Sequence, residues 1–236
     1  AGHAAENGRI EGYIADNFKQ GALVQVACET DFSANTDEMK QFTIQAAQLV
    51  VATGKTSVEE LLDSQKELKN EYNELLAKIS ENIKIDKIKL FSVEQYGIVN
   101  TYIHPGSTVG VLVELNTELD QSQYLNELKT VARDICMHVA VTNPLCIDPD
   151  ALNPDVLKKE QEIMKEQLKN SGKPDKIIEK IMVGKTDKYY KEVCLVNQEF
   201  IKNDKLSIKQ YLDQVGDKIG NTITIKRFIR FGIGGK

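Results

Sequence analysis

The chain has 236 residues, 41% of them apolar and 28% charged, so one or two domains with a packed core are expected and wholesale disorder is excluded. No run approaches the ~20 apolar residues that a bilayer requires. The net charge of −5 argues against a basic nucleic-acid stripe.

Along the chain, Gly8–Ile14 and Gly21–Val26 read as two strands with a polar turn between them, alternating at first and then mostly apolar. The segment Cys28-Glu29-Thr30-Asp31-Phe32-Ser33-Ala34-Asn35-Thr36-Asp37 leaves that strand and sets a Phe beside acids in a turn. Two readings stand. Asp31 or Thr30 caps a helix while Phe32 closes over the core, or Phe32 is a protruding aromatic anchor with an acid beside it, the composition of a binding hot spot.

Met39–Thr53 follows as an apolar helix. Ser57-Val58-Glu59-Glu60 forms a capping box that opens a helix carrying Leu61, Leu62, Leu68, Tyr72, Leu75, Leu76 and Ile79 at near-helical spacing. A third strand is expected over Ile83, Ile85, Ile88 and Leu90.

The first hairpin then recurs. Gly97–Ile103 echoes Gly8–Ile14 and Gly110–Leu115 echoes Gly21–Val26, both at an offset of 89 residues. An apolar helix over Tyr124–Val141 follows this copy too, in a register that differs by a few residues. The expected fold class is α+β: duplicated hairpin-plus-helix core subdomains with antiparallel sheets and an inserted antiparallel helical hairpin.

That insertion shows two narrow apolar stripes, Val156, Leu157, Ile163, Met164 and Leu168, then Ile177, Ile178, Ile181, Met182, Tyr189 and Tyr190. Between them Gly172 suits a helix stop and Pro174 a helix start. Its ten Lys meet seven Asp or Glu over 156–192, which reads as a solvated surface. Ser207-Ile208-Lys209-Gln210 is a second capping box, opening a helix with Leu212, Val215 and Ile219 inward. A strand over Thr222–Phe231 ends the chain, with Lys226, Arg227 and Arg230 as solvent-facing edge charges. The expected division is 1–96, an N-terminal core subdomain, and 97–150, the first part of a C-terminal one. Residues 151–195 form the hairpin, and 196–236 complete the C-terminal subdomain.

Enzyme motifs are missing: no P-loop, no nucleophile elbow, no dinucleotide-binding glycine pattern and no zinc-protease helix. No cofactor or metal is expected. Cys28, Cys136, Cys146 and Cys194 are too scattered for a zinc site, since Cys136, His138 and Cys146 lack a fourth ligand, and they read as buried thiols of a reducing, cytoplasmic setting. His3 lies near the start and His138 reads as a packing residue. His104, on the loop His104-Pro105-Gly106, is the histidine expected to contact something.

The Cys28–Asn35 segment resembles the signature of the bacterial elongation factor Ts family, usually written with Val at the position of Ser33. Ile79–Ile83, Tyr102–Gly106, Cys136–Ala140, Ser171–Pro174 and Gln198–Lys202 agree in order and spacing, so the resemblance covers nearly all of the chain. Ser80 stands where that family usually has Gly. The family's small N-terminal helical domain and its terminal helix have no counterpart here, which suggests a truncated chain with reduced affinity.

The resemblance implies a nucleotide exchange factor that makes no bonds. It binds elongation factor Tu·GDP, disturbs the Mg²⁺/phosphate site, releases GDP and leaves the partner for GTP to reload. Carried over position by position, Thr30, Asp31, Phe32 and Ser33 form the element that disturbs the magnesium site. Phe32 acts as a wedge, and Asp31 bonds near the displaced helix. His104, Phe200, Ile201 and Lys202 are further partner contacts, and the helical hairpin is a candidate for dimer or heterotetramer contacts. No direct nucleic acid and no membrane are implied. The alternative is a ribosome- or RNA-associated α+β module, and a third option is an enzyme using Cys28 or Cys146 as nucleophile.

Overall fold

A computed structural model describes residues 6–120, 122–170, 172 and 174–235. His3 and the Ser171 and Lys173 of the Ser171–Pro174 block lie outside the described residues. In chain order the elements are β1 (Asn7–Ile14), β2 (Gln20–Cys28), α1 (Asp31–Ala34), α2 (Asp37–Thr53), α3 (Val58–Ser64), α4 (Lys66–Ile79), β3 (Lys84–Ser92), β4 (Gly97–Ile103) and β5 (Val109–Thr117). Then come α5 (Leu125–Thr142), α6 (Pro154–Lys169), α7 (Asp175–Val193), β6 (Glu199–Phe200), β7 (Asn203–Ser207), α8 (Ile208–Ile219) and β8 (Ile223–Gly232). The fold class is α+β, with antiparallel sheets ordered β1-β2-β3, β4-β5-β8 and β6-β7. The chain divides into two compact units, one holding residues up to Val141 and from Gly216 onward, the other Thr142–Val215.

In the first unit the duplication is written into the strand register. Gly12 pairs with Leu23 and Thr101 with Leu112, while Ile14 pairs with Gly21 and Ile103 with Gly110, each pair 89 residues from its counterpart. The same offset extends into the helices. α2 buries Met39, Phe42, Thr43, Ala46, Ala47, Val50 and Val51. The positions 89 residues later, Leu128, Val131, Ala132, Ile135, Cys136, Val139 and Ala140, are all buried on α5. The expected difference in helix register is therefore corrected. Only the entries differ, α2 opening on a Thr36 cap and α5 on a 3₁₀ turn at Ser122–Tyr124, and those unlike entries masked the common register.

The third strands follow another offset. β2 bulges between Gln25 and Val26, opposite Lys87 and Ile85, and β5 bulges between Glu114 and Leu115, opposite Arg227 and Ile225. Lys87 and Arg227 are 140 residues apart, 51 more than the repeat offset, because the second unit stands between α5 and β8 where the first copy has only α3 and α4 between α2 and β3.

Alternate residues of β2 serve two cores. Ala22, Val24, Val26 and Cys28 pack with α2, α3 and α4, while Leu23 joins Ile10, Phe91, Val99, Leu112, Phe231 and Ile233 between the two sheets. The sheets approach closely at related glycines. A Cβ on Gly21 would meet Val99 Cγ1 at 2.8 Å, and one on Gly110 would meet Ile10 Cγ2 at 2.5 Å. The resulting order is helix, sheet, sheet, helix.

Two local expectations need correction. The long helix after Ser57 is two helices, because Gln65 adopts φ −120°, ψ 86° and the Ser64 hydroxyl donates back to the Leu61 carbonyl. Arg227 and Arg230 are not simple solvent-facing charges. Arg227 Nε donates to the buried Glu114 carboxylate at 2.6 Å and lies over the Phe91 ring, answering a charge on the central strand. Arg230 reaches the Ala140 carbonyl in the last turn of α5 at 3.1 and 3.2 Å.

In the second unit, α6 and α7 pack antiparallel and bury Leu168 and Ile178, with Gly172 at φ 70° in the connection. At their base Cys146, Leu152 and Cys194 form a small core with Leu157, Tyr189, Tyr190 and Val193. The capping box of α8 is complete: Gln210 N donates to Ser207 Oγ, and Ser207 N donates to Gln210 Oε1.

Candidate functional site

The link from β2 to α2 is too short for a full helix, so it folds as one capped turn. Thr30 is extended, and its hydroxyl accepts from the Ser33 amide at 3.1 Å, which starts α1. The Asn35 side-chain amide closes the turn by donating to the Asp31 carbonyl at 2.9 Å and to Asp31 Oδ1 at 3.0 Å. Ser33 and Ala34 point inward and are buried. Thr30 and Asp31 are exposed, and Phe32 stands outside the core at 83% exposure. Thus Thr30 supplies the cap, and Phe32 does not close over the core.

The turn is held by residues that the local sequence does not reveal. Thr30 Oγ1 and Ser33 Oγ donate to Glu81 Oε1 at 2.8 and 2.7 Å, and the Thr30 amide donates to Glu81 Oε2 at 3.2 Å. In return the Asn82 amide donates to Glu29 Oε1 at 3.2 Å. The Ser33 donor, then the Thr30 donors, hold the Glu81 carboxyl below its ordinary pKa. On the other side Arg9 Nη1 donates to the Ala34 carbonyl at 3.4 Å, while Arg9 Nε pairs with Glu11 at 2.6 Å. The sequence alone does not single out Glu81, Arg9 or Glu11 as neighbours of this turn. The only signal for Glu81 was its place in the Ile79–Ile83 block.

Glu11 also touches the loop of the second candidate. Ser107 Oγ donates to Glu11 Oε1 at 3.4 Å, and the Ile10 amide donates to the Ser107 carbonyl at 2.8 Å. That loop exposes His104, whose Nδ1 lies 3.1 Å from the Tyr102 hydroxyl. β1 therefore carries the bridge between the Phe32 turn and the His104 loop.

Phe200, Ile201 and Lys202 belong to the second unit. Phe200 is buried and stacked on Tyr211 with ring centroids 4.4 Å apart, so it packs the β6–β7 hairpin, while Ile201 and Lys202 lie at the surface.

The thiols are poorly placed for nucleophilic work. Burial, followed by the charge of Glu81 and Asp31, pushes Cys28 up to about 11, and burial also raises Cys146. Cys146 donates to Cys194 Sγ at 3.5 Å and Cys136 to the Asn100 carbonyl at 3.4 Å. Among the described residues, no cluster of three or more His, Cys, Asp or Glu could hold a metal ion, and no helix is long and apolar enough to cross a membrane.

Comparison with known proteins is consistent over most of the chain. Residues 29–235 match the family model described as Elongation factor TS. Elongation factor Ts of Clostridium perfringens (strain SM101 / Type A) is 38% identical over 235 residues, covering 98% of this chain and 76% of that protein. Elongation factor Ts of Clostridium botulinum (strain Alaska E43 / Type E3) is 35% identical over 235 residues, with the same coverage.

Proposed function

The chain belongs to the elongation factor Ts family and is a translation elongation factor, and from that premise we propose that it binds elongation factor Tu·GDP and speeds release of the nucleotide. The observation that carries this reading is Phe32. A large aromatic at 83% exposure gains nothing for the fold, yet the turn beneath it is pinned by side-chain hydrogen bonds. A rigid, exposed aromatic suits the anchor of an interface.

On this reading Phe32 enters an apolar crevice of the partner's GTPase domain, and the exposed Asp31 bonds to the helix it displaces. Thr30 and Ser33 hold the turn. Displacing the partner's Mg²⁺ removes the largest countercharge on the GDP phosphates, so GDP leaves faster. The chain makes and breaks no bond. It favours the nucleotide-free partner, and linkage then requires that it weaken nucleotide binding by the same factor. His104 makes a second contact on the partner, and Ile201 and Lys202, presented by the packed Phe200, make a third. The α6–α7 hairpin offers an assembly surface, and the setting is the cytoplasm.

The test is release of a fluorescent GDP analogue from elongation factor Tu, with and without the chain. Release that accelerates to a plateau with added chain supports the reading. A release rate unchanged at saturating, folded chain refutes it.

A further inference from the structure

Resting on the exchange reading above, we propose that Glu81 is a positioning residue whose carboxylate clasps the Thr30–Ser33 turn and fixes the direction in which Phe32 is presented. The turn cannot hold itself. α1 is four residues long, well short of the length at which a helix persists in water, and Phe32 has almost no packing to anchor it. Beyond its own cap, the Asn35 bonds and the 3.4 Å reach of Arg9, what anchors the turn comes from 48 to 51 residues away in sequence.

The geometry uses the whole carboxylate. Oε1 takes both hydroxyls, at 2.8 and 2.7 Å, and Oε2 takes the Thr30 amide at 3.2 Å. A neutral hydroxyl or a Lys could not replace these acceptors, because all three donors point inward at one charge. The Thr30 hydroxyl thus donates to Glu81 while accepting from the Ser33 amide, so cap and clasp share one group. Glu81 is itself placed by the end of α4, where Ser80 adopts a left-handed φ of 56° and its amide bonds the Leu76 carbonyl. The Asn82 amide to Glu29 completes a two-way link between the strand exit and the helix exit. Glu81 acts through the turn rather than on the partner.

The experiment has two arms. In the free chain, Glu81→Ala should speed amide hydrogen exchange at Ser33, Ala34 and Asn35, with β2 and α2 amides at wild-type rates. In GDP release from elongation factor Tu, Glu81→Ala should raise the half-saturating concentration about two- to tenfold, the cost of ordering one side chain on binding. In a Phe32→Ala background the same substitution should add nothing. Glu81→Gln, which keeps one acceptor oxygen, should fall between. Unchanged exchange at residues 33–35 overturns the clasp. So do penalties that multiply in the two backgrounds, since they would mark a general structural role. A wild-type chain that releases no GDP refutes the exchange reading itself, a failure separate from the amide-exchange result.

Discussion

Phe18 and Ser107 stand 89 residues apart and hold the same left-handed backbone, with φ 58° and 56°. Each gives its carbonyl to the opposite hairpin: Val99 N donates to Phe18 O and Ile10 N to Ser107 O, both at 2.8 Å. Val99 and Ile10 are also 89 residues apart, so the exchange is reciprocal. A left-handed non-glycine residue costs about 1–2 kcal/mol, and here interlocking of the repeats offsets it at both sites. The consequence for function is positional. Ser107 sits against β1, next to Glu11, and Arg9 on the same strand reaches under α1.

The Arg9–Glu11 pair is therefore expected to brace both candidate contact loops. Its side chains are only 11% and 12% exposed, so removing one partner strands a charge. Arg9→Met should lower unfolding stability by about 3 kcal/mol, and Arg9→Met with Glu11→Leu should recover much of that loss. Urea denaturation midpoints at constant slope check it. A double variant as unstable as the single would show that the pair is not acting as a pair.

Phe32→Ala separates an anchor from a core residue. With Phe32 83% exposed, the change should alter folding stability by no more than about 0.5 kcal/mol. Association with elongation factor Tu should weaken by roughly 2–4 kcal/mol, as for a hot-spot aromatic. Calorimetric melting and titration of the same samples give both numbers. A lower melting temperature with binding intact is the opposite pattern, and would return Phe32 to a structural role.

Most of this architecture is legible in the sequence because it is local or periodic. The repeat is carried by short runs such as Gly21–Val26 and Gly110–Leu115, and Ser57 and Ser207 both cap helices as expected, the reciprocal side-chain bond of a full capping box being formed at Ser207. The family signature singles out the Phe32 turn. What stayed hidden depends on distant partners. Nothing near Glu81 predicts that it will meet Thr30 and Ser33 across about 50 residues. Arg227 reads as an edge charge until Glu114, 113 residues away, is placed beside it. Gln65 is an ordinary helix residue, and no glycine or proline marks the break that its non-helical backbone makes there. Phe200 shows the converse case, a motif aromatic that turns inward to stack on Tyr211.

Ser80 carries avoidable strain. It caps α4 at φ 56°, where glycine is the easy residue, and its hydroxyl makes only a 3.5 Å contact to Ala77 O. Ser80→Gly should raise stability by about 0.5–1 kcal/mol and leave Glu81 in place. Thermal unfolding measures it. A loss of stability would mean that the Ser80 hydroxyl matters more than its backbone.

The Glu81 clasp also sets a pH dependence. Its carboxyl is held below the ordinary carboxylate pKa, chiefly by Ser33, so it is the charged form that binds the turn. The stability it contributes is fully present above the ordinary value of the unfolded chain and is lost as pH falls through the lowered folded value. Wild type and Glu81→Gln should therefore differ at neutral pH and converge in acid. A gap that is constant across that acid range would contradict the assignment.

Linkage gives the most direct measurement. The dissociation constant of the chain should be determined for elongation factor Tu in its GDP-bound and nucleotide-free forms, alongside the constant for GDP with and without the chain. The account predicts tighter binding to the nucleotide-free form, by the same factor as GDP is weakened, with Phe32→Ala shrinking both factors together. Equal affinity for the two forms would contradict it.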